Sequence, residues 1–268
     1  MHEFVFFDQG ISRADEALVA AFSQAALYGK GVFTTIAIYD GVPFLWDKSW
    51  RRLCNNAETV RIDFSDFSEL GVRASLDDLV CVNAVRNGRV RITLLDISSG
   101  SIWPFATDRK AGLFVTTADF RPSPDNCCLA TSPFPVNSLS PLSSIKSCNY
   151  LENLMAMDEA KGRGFDEAIR LNERGEVTSA VMANVFWSKD DNLFTPSLKT
   201  GCLPGTTREF VLENLECREV VATLDDLRST DAIFLTSAGL GVVRVAGFDG
   251  RRMSSAGHQI VELIPKGI

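Results

Sequence analysis

Few residues in this chain have chemistry to offer, and one of them stands in an odd setting. Lys146 lies in "SSIKSCNYLENL", between the Ser- and Pro-rich approach "PVNSLSPLSSI" and a run with helical character. Tyr150, Leu151, Leu154 and Met155 follow helical spacing, which predicts a helix that buries this face and has Lys146 just ahead of its first turn. A helix N-terminus carries positive partial charge and disfavours an ammonium there. An ordinary lysine, of pKa about 10.4, is protonated at neutral pH, whereas condensation with an aldehyde removes that charge. The plain alternative for this feature by itself is a solvated loop lysine.

Two further stretches point the same way. "LPGTTREF" sets Pro-Gly before Thr206 and Thr207 at a helix start, leaving backbone N–H groups and two hydroxyls free to receive a phosphate. "KSWRRLCNNAETV" sets Arg51 and Arg52 on a helix, and an arginine fork suits bidentate phosphate binding. Each has a bland reading, a capped helix and a solvated arginine. Together with the lysine they describe a site for a phosphorylated aldehyde, which is what pyridoxal 5'-phosphate is. There are two histidines, His2 near a terminus expected to fray and His258, which argues against zinc-triad and Ser-His-Asp chemistry. No metal site is expected, and proton transfers fall to lysine and a cofactor.

The rest of the chain must position these residues. With 268 residues and 46% hydrophobic content there is ample material for a buried core. A net charge of -7 without a Lys/Arg block argues against nucleic acid as a partner. No segment has the apolar length of a membrane span, and the opening "MHEFVFFDQG" lacks the pattern of a secretory signal, so a cytoplasmic location is expected. Seven cysteines without a CxxC pair read as free thiols. Strands are predicted in "FVFF", in "GVFTTIAIYDGVPFLW" with a turn at "YDG", and in "RVRITLLDI" and "KAGLFVTTADF". Helices are predicted at 48–60 and within "FSELGVRASLDDLVCVNAVRNG". "RPSPDN" reads as a linker, giving a small N-terminal α/β domain at 1–120, a linker at 121–126, and a larger domain at 127–268 that carries the lysine. Beyond the linker come the strand "CCLAT", the helix after Lys146, strands through "EAIRLNERGEVTSAVMANVFWSKDDNLFTP", a helix from "PGTTREFVLENL" and strands in "DAIFLTSAGLGVVRVAGFDGRRM".

The ordered series "LYGKGVFTTIAIYDGVPFLWDKSWRRLCNNAETVRI", "IKSCNYLENLMAMDEAKGRGFDEAIRLNERGEVTSAVMANVFW" and "LPGTTR" resembles the class IV aminotransferase family, the fold type IV pyridoxal-phosphate enzymes. That family includes branched-chain and D-amino acid aminotransferases and aminodeoxychorismate lyases. The resemblance implies a two-domain α/β (α+β) fold with the cofactor at the domain interface and a homodimer. It implies that Lys146 forms the Schiff base and moves the proton between the substrate Cα and the cofactor. Arg52, Thr206 and Thr207 would hold the phosphate, with Ser237 and Ala238 of "TSAGLGV" contributing to phosphate and carboxylate binding. Asn184 and Phe186 match the family's N-x-F, as architecture.

Three departures from the pattern carry chemical meaning. Where the family has V-T-E, whose glutamate pairs with the pyridinium nitrogen, this chain has Val177, Thr178 and Ser179. A serine offers only a neutral hydrogen bond, so a weaker electron sink is expected. Glu176 falls on the opposite strand face and is not expected to substitute. The family's G-D-G-V-F-E-T is "GKGVFTT", placing Lys30 and Thr34 at its acids, and the His of its H-x-x-R-L is Ser49. After "RVRITLL" the family often has an R-G whose arginine binds a substrate carboxylate, but here Asp96 and Ile97 follow; Arg244 or Lys30 are the candidates to replace that cation. Three activities fit: amino transfer between an amino acid and a 2-oxo acid, lyase-type elimination of pyruvate giving 4-aminobenzoate, and cofactor binding without turnover.

Overall fold

Asp40 and Gly41 of "YDG" both adopt positive φ, 49° and 79°. This is the two-residue turn whose twist matches a β-hairpin, and it joins β3 (Gly31–Tyr39) to β4 (Val42–Pro43). The computed structural model describes residues 1–8, 10–98, 110–120, 124, 126–254 and 257–265. Most of the expected linker, 121–123 and 125, lies outside the described residues.

Around this hairpin a six-stranded antiparallel sheet assembles in the order β2-β1-β6-β5-β3-β4, with β1 (Phe4–Phe7), β2 (Gly10–Arg13), β5 (Gly88–Asp96) and β6 (Ala111–Ala118). Alternation sends Val32, Ile36, Ile38, Val90, Ile92 and Leu94 to one face, where they pack with Leu53 and Ala57 of α2 (Trp46–Thr59) and Leu76 and Leu79 of α3 (Glu69–Val82). The short helix α1 (Gln24–Tyr28) is capped by Ser23. His2 is not frayed: its Nδ1 lies 2.8 Å from the Thr117 hydroxyl.

A nine-stranded sheet follows in the order β12-β11-β10-β13-β14-β7-β8-β9, with β15 paired to β14. Its strands are β7 (Cys127–Thr131), β8 (Glu167–Leu171), β9 (Val177–Ala180), β10 (Asn184–Lys189), β11 (Asn192–Pro196), β12 (Cys217–Val220), β13 (Ala232–Ser237), β14 (Gly241–Phe248) and β15 (Arg251–Arg252). The α-helices that accompany it among the described residues are α4 (Leu151–Gly162), α5 (Thr206–Asn214) and α6 (Leu224–Arg228). One core joins Leu129, Ile169, Val185, Ile233 and Val245, and a second joins Phe186, Val211, Phe234 and Ile260.

The structure corrects the face of α4. The residues it buries are Ala156 and Ala160, packed with Ala130, Ala168 and Val181, while Leu151, Leu154 and Met155 are exposed. Small residues let the helix backbone lie close to its strands, and spacing alone does not tell which face is the covered one.

By its contacts the chain divides into two units, one made of Met1–Phe120 with Ile145–Asn149, the other of the stretches 121–144 and 150–266. The expected placement of Lys146 in a 127–268 domain is therefore changed. Residues 145–149 leave that stretch and run along the free edge of β3: the Phe33 amide donates to the Lys146 carbonyl at 2.9 Å and the Cys148 amide to the Gly31 carbonyl at 2.8 Å. Among the described residues no helix is long and apolar enough to cross a membrane.

Candidate active site

The first unit builds the surroundings of Lys146 from the β3 edge. Gly31 permits the approach, because a β-carbon there would sit 2.7 Å from the Leu95 side chain and 2.9 Å from the Cys148 sulfur. Ser147 forms an antiparallel bridge with Val32, and α4 begins only at Leu151. Lys146 is therefore not set at a helix N-terminus as the sequence pattern implied, and the helix dipole is not what acts on it. Its ammonium lies over the Phe33 ring, 4.4 Å from the centroid, and the Arg91 guanidinium lies over the same ring at 3.6 Å.

Burial, with Arg52 and Arg91 nearby, pulls the Lys146 pKa down to about 7. Removal from water penalises the charged form and two like charges add to the penalty. An amine that is substantially neutral near physiological pH is a competent nucleophile toward a carbonyl.

Arg52 reaches this region from α2, whose other face is anchored by the fully buried Leu53 and Ala57. Its Nη2 donates to the Thr34 hydroxyl at 2.8 Å, so one departure from the family pattern serves to orient the arginine. The neighbouring Arg51 is exposed. Arg91 had not been singled out in the sequence. The only signal was its position in "RVRIT", where alternation puts Arg91 and Thr93 on the face away from the core, and the register of β3 with β5 sets them beside Phe33.

Lys30 and Asp96, two separate departures in the sequence, form one ion pair at 2.8 Å. Burial pushes the Asp96 carboxyl up, but hydrogen bonds from Lys30 and Ser98 and the Lys30 charge outweigh it and hold the carboxyl below its usual range. Lys30 is thus committed to Asp96 and does not supply the substrate cation considered for it. Arg244, the other candidate, donates to the Ser254 carbonyl.

In the second unit, α5 starts at Thr206 with Gly205 as its N-cap and no side chain capping it. Thr206 and Thr207 are buried, at 4% and 5% exposure. Gly205 has no room for a side chain, since a β-carbon would sit 2.0 Å from Asn184 Oδ1. Asn184 Nδ2 donates to the Leu203 carbonyl at 2.8 Å, so the N-x-F asparagine holds the loop entering α5, as architecture. Its cross-strand partner is Thr236, whose buried hydroxyl has no hydrogen-bond partner among the described residues. Ser237 ends β13, and Ala238 begins the turn that returns at Gly241. Arg208 faces the other way, bonded to the Pro196 carbonyl and Glu219.

Ser179 is half-buried on β9, directly opposite Arg170 of β8. The turn that leaves β9 is held by a residue the sequence did not flag. Glu167 accepts the amides of Val181 at 2.9 Å and Met182 at 3.1 Å, and burial pushes its carboxyl up to about 7. Glu176 is occupied by Asn172 and Arg174, each at 2.7 Å. Among the described residues no cluster of three or more His, Cys, Asp or Glu is placed to hold a metal.

Each unit by itself offers groups of the kind pyridoxal phosphate needs. In the first, an amine lowered to about 7 suits an aldehyde and Arg52 suits a phosphate. In the second, a helix start without a side-chain cap and an unpartnered buried hydroxyl suit a phosphate.

The fold is that of the fold type IV pyridoxal-phosphate enzymes. Residues 31–248 match the family model described as amino-transferase class IV, and the chain belongs to that family. It is 31% identical over 254 residues to an aminodeoxychorismate lyase of Bacillus subtilis (strain 168), covering 85% of this chain and 80% of the relative. It is 30% identical over 265 residues to a putative branched-chain-amino-acid aminotransferase of Methanocaldococcus jannaschii, covering 94% and 89%. The crystal structure of the Thermoproteus uzoniensis branched-chain aminotransferase with norvaline superposes with a TM-score of 0.90 at 25% identity, covering 98% of this chain and 93% of that one. Members of the family are pyridoxal-phosphate enzymes, and another branched-chain aminotransferase of this fold has been solved with pyridoxamine 5'-phosphate.

Proposed function

We propose that this protein moves an amino group between an amino acid and a 2-oxo acid. The observation that carries the reading is the placement of Lys146 on the β3 edge, its amine 4.4 Å from the Phe33 ring centroid with the Arg91 guanidinium over the same ring at 3.6 Å; burial and the Arg52 and Arg91 charges lower its pKa. When bound, pyridoxal phosphate supplies the electron-withdrawing ring that lets the substrate Cα lose its proton. Lys146 would attach the cofactor and carry the proton at Cα. Arg52, Thr206 and Thr207 would hold the phosphate, Ser237 and Ala238 would contribute to phosphate and substrate carboxylate binding, and Ser179 would meet the ring nitrogen. Arg91 is the group best suited to a substrate carboxylate, being a guanidinium beside the reacting amine. Its charge steers the acid to the lysine and helps keep that lysine neutral.

A second reading, lyase-type elimination of pyruvate to give 4-aminobenzoate, is favoured by Ser179. Without a carboxylate the electron sink is weaker, and elimination needs no complete conversion of the cofactor to its amine form. The Bacillus subtilis relative bears that name. We further read the chain as a homodimer working in the cytoplasm, on small amino and 2-oxo acids. Sedimentation velocity tests the dimer.

The deciding experiment incubates the cofactor-loaded protein with D- and L-amino acids and 2-oxoglutarate, and separately with aminodeoxychorismate alone. Amino acid formed from 2-oxoglutarate supports the first reading. Pyruvate released without an acceptor supports the second. Neither product, with the cofactor retained, overturns both.

A further inference from the structure

Ser179 does not act alone on its strand. Arg170 stands directly opposite it in the antiparallel pairing of β8 with β9. Directly opposed residues point to the same face of a sheet, with β-carbons about 5 Å apart. Arg170 is buried, at 3% exposure. Its guanidinium donates to the carbonyls of Phe134 at 3.3 Å and Pro135 at 3.0 Å. The carboxylate of Glu152 lies 3.6 Å away on a side chain that is 78% exposed. The Tyr150 phenol is a further ionisable neighbour.

Carbonyl dipoles fix the cation without cancelling it, and a water-screened Glu152 cancels it only in part. A guanidinium does not shed its proton in a protein. The strand pair therefore presents a fixed positive charge next to the position where the family pattern has its carboxylate. Neither residue marks this in the linear sequence; the register does.

We propose that Arg170 and Ser179 form one unit that keeps the pyridine nitrogen of the bound cofactor unprotonated. Ser179 donates its hydroxyl to that nitrogen, and Arg170 makes a positive ring unfavourable. Arg170 also captures across the strands any carboxylate introduced at position 179. The inference deepens the cofactor reading above and rests on it. An uncharged ring withdraws electrons less, so the unit weighs toward the second reading above, elimination, over amino transfer.

The test reads the ring nitrogen itself, using [15N]pyridoxal phosphate bound to the protein and nitrogen NMR from weakly acidic to weakly alkaline pH. The wild-type resonance is expected to stay at the unprotonated position throughout. Ser179→Glu alone leaves it largely there, and Ser179→Glu with Arg170→Leu moves it to the protonated position. Arg170→Lys in the Ser179→Glu background keeps it unprotonated.

A second measurement needs no variant. The wild-type protein should bind N1-methylated pyridoxal phosphate, a permanently cationic ring, at least tenfold more weakly than the uncharged 1-deaza analogue. A protonated wild-type ring, full protonation by Ser179→Glu alone, or equal affinity for the two analogues overturns the proposal. Failure of pyridoxal phosphate to attach to Lys146 overturns the functional reading and this proposal with it.

Discussion

Two lysines flank the start of β3, one by sequence and one by folding, and the protein treats them in opposite ways. Lys30 meets the buried Asp96 at 2.8 Å and becomes a strut between β3 and β5. Lys146 is withdrawn from water with the Arg52 and Arg91 charges nearby, which lowers its pKa to about 7. The side chains are identical; the sign of the neighbouring charge decides whether a lysine braces the sheet or reacts. Burial strengthens either outcome, because charges out of water interact more strongly.

The sharpest way to break this comparison is to exchange the fates of the two lysines. Lys146→Ala is expected to abolish covalent cofactor attachment and to lower turnover by roughly 10²–10⁴-fold, while Lys30→Ala keeps attachment. Absorbance of the bound cofactor and steady-state rates check both. Full activity in Lys146→Ala contradicts the assignment.

Next in size is the electrostatic cost that Lys146 imposes on the cofactor-free protein. Its pKa is lowered from 10.5 to about 7, so between those values the unfolded chain holds a proton that the folded chain lacks. Stability of the cofactor-free protein therefore rises with pH across that window, and the full cost is borne below about 7. Lys146→Met is expected to stabilise the cofactor-free protein by on the order of 2 kcal/mol below neutral pH. That gain fades as pH approaches the ordinary lysine value. Urea unfolding at several pH values measures it.

Asp96→Asn is expected to destabilise the first unit by about 1–3 kcal/mol, since it breaks a charged hydrogen bond at a buried site. The Asp96 pKa is depressed, so its contribution is present above its ordinary 3.8 and is lost as pH falls through the lowered value. Exchanging the pair, Lys30→Asp with Asp96→Lys, should recover most of the loss, and a double-mutant cycle reports the coupling.

Smallest in its effect on Lys146 itself is Arg91→Gln, which removes one like charge. It should raise the Lys146 pKa by on the order of one unit. The pH dependence of cofactor attachment shows this as a shift to higher pH.

Residues whose role is local were legible in the sequence. The "YDG" turn follows from the positive φ that Asp and Gly tolerate, and the start of α5 follows from Pro-Gly before two threonines. The lysine, the phosphate-type helix start and Ser179 were visible as residue types in an ordered pattern. What was not legible depends on pairing between distant stretches. The β3–β5 register turns Lys30 and Asp96 into one ion pair and brings Arg91 to Phe33. The β8–β9 register puts Arg170 opposite Ser179. The α4 face was misread because Leu151, Leu154 and Met155 and the small Ala156 and Ala160 both fit helical periodicity, and only tertiary contact decides which stripe is covered. The helix dipole offered a local reason for an unusual lysine, but residues 145–149 run along β3, where burial and two arginines supply the cause.

The most direct test of the claim about the two lysines is chemical trapping. The purified protein is loaded with pyridoxal phosphate, reduced with borohydride, digested and mapped by mass spectrometry. The modification is expected on the peptide containing Lys146, with Lys30 unmodified. Modification of Lys30 instead, or of neither lysine, would contradict the account.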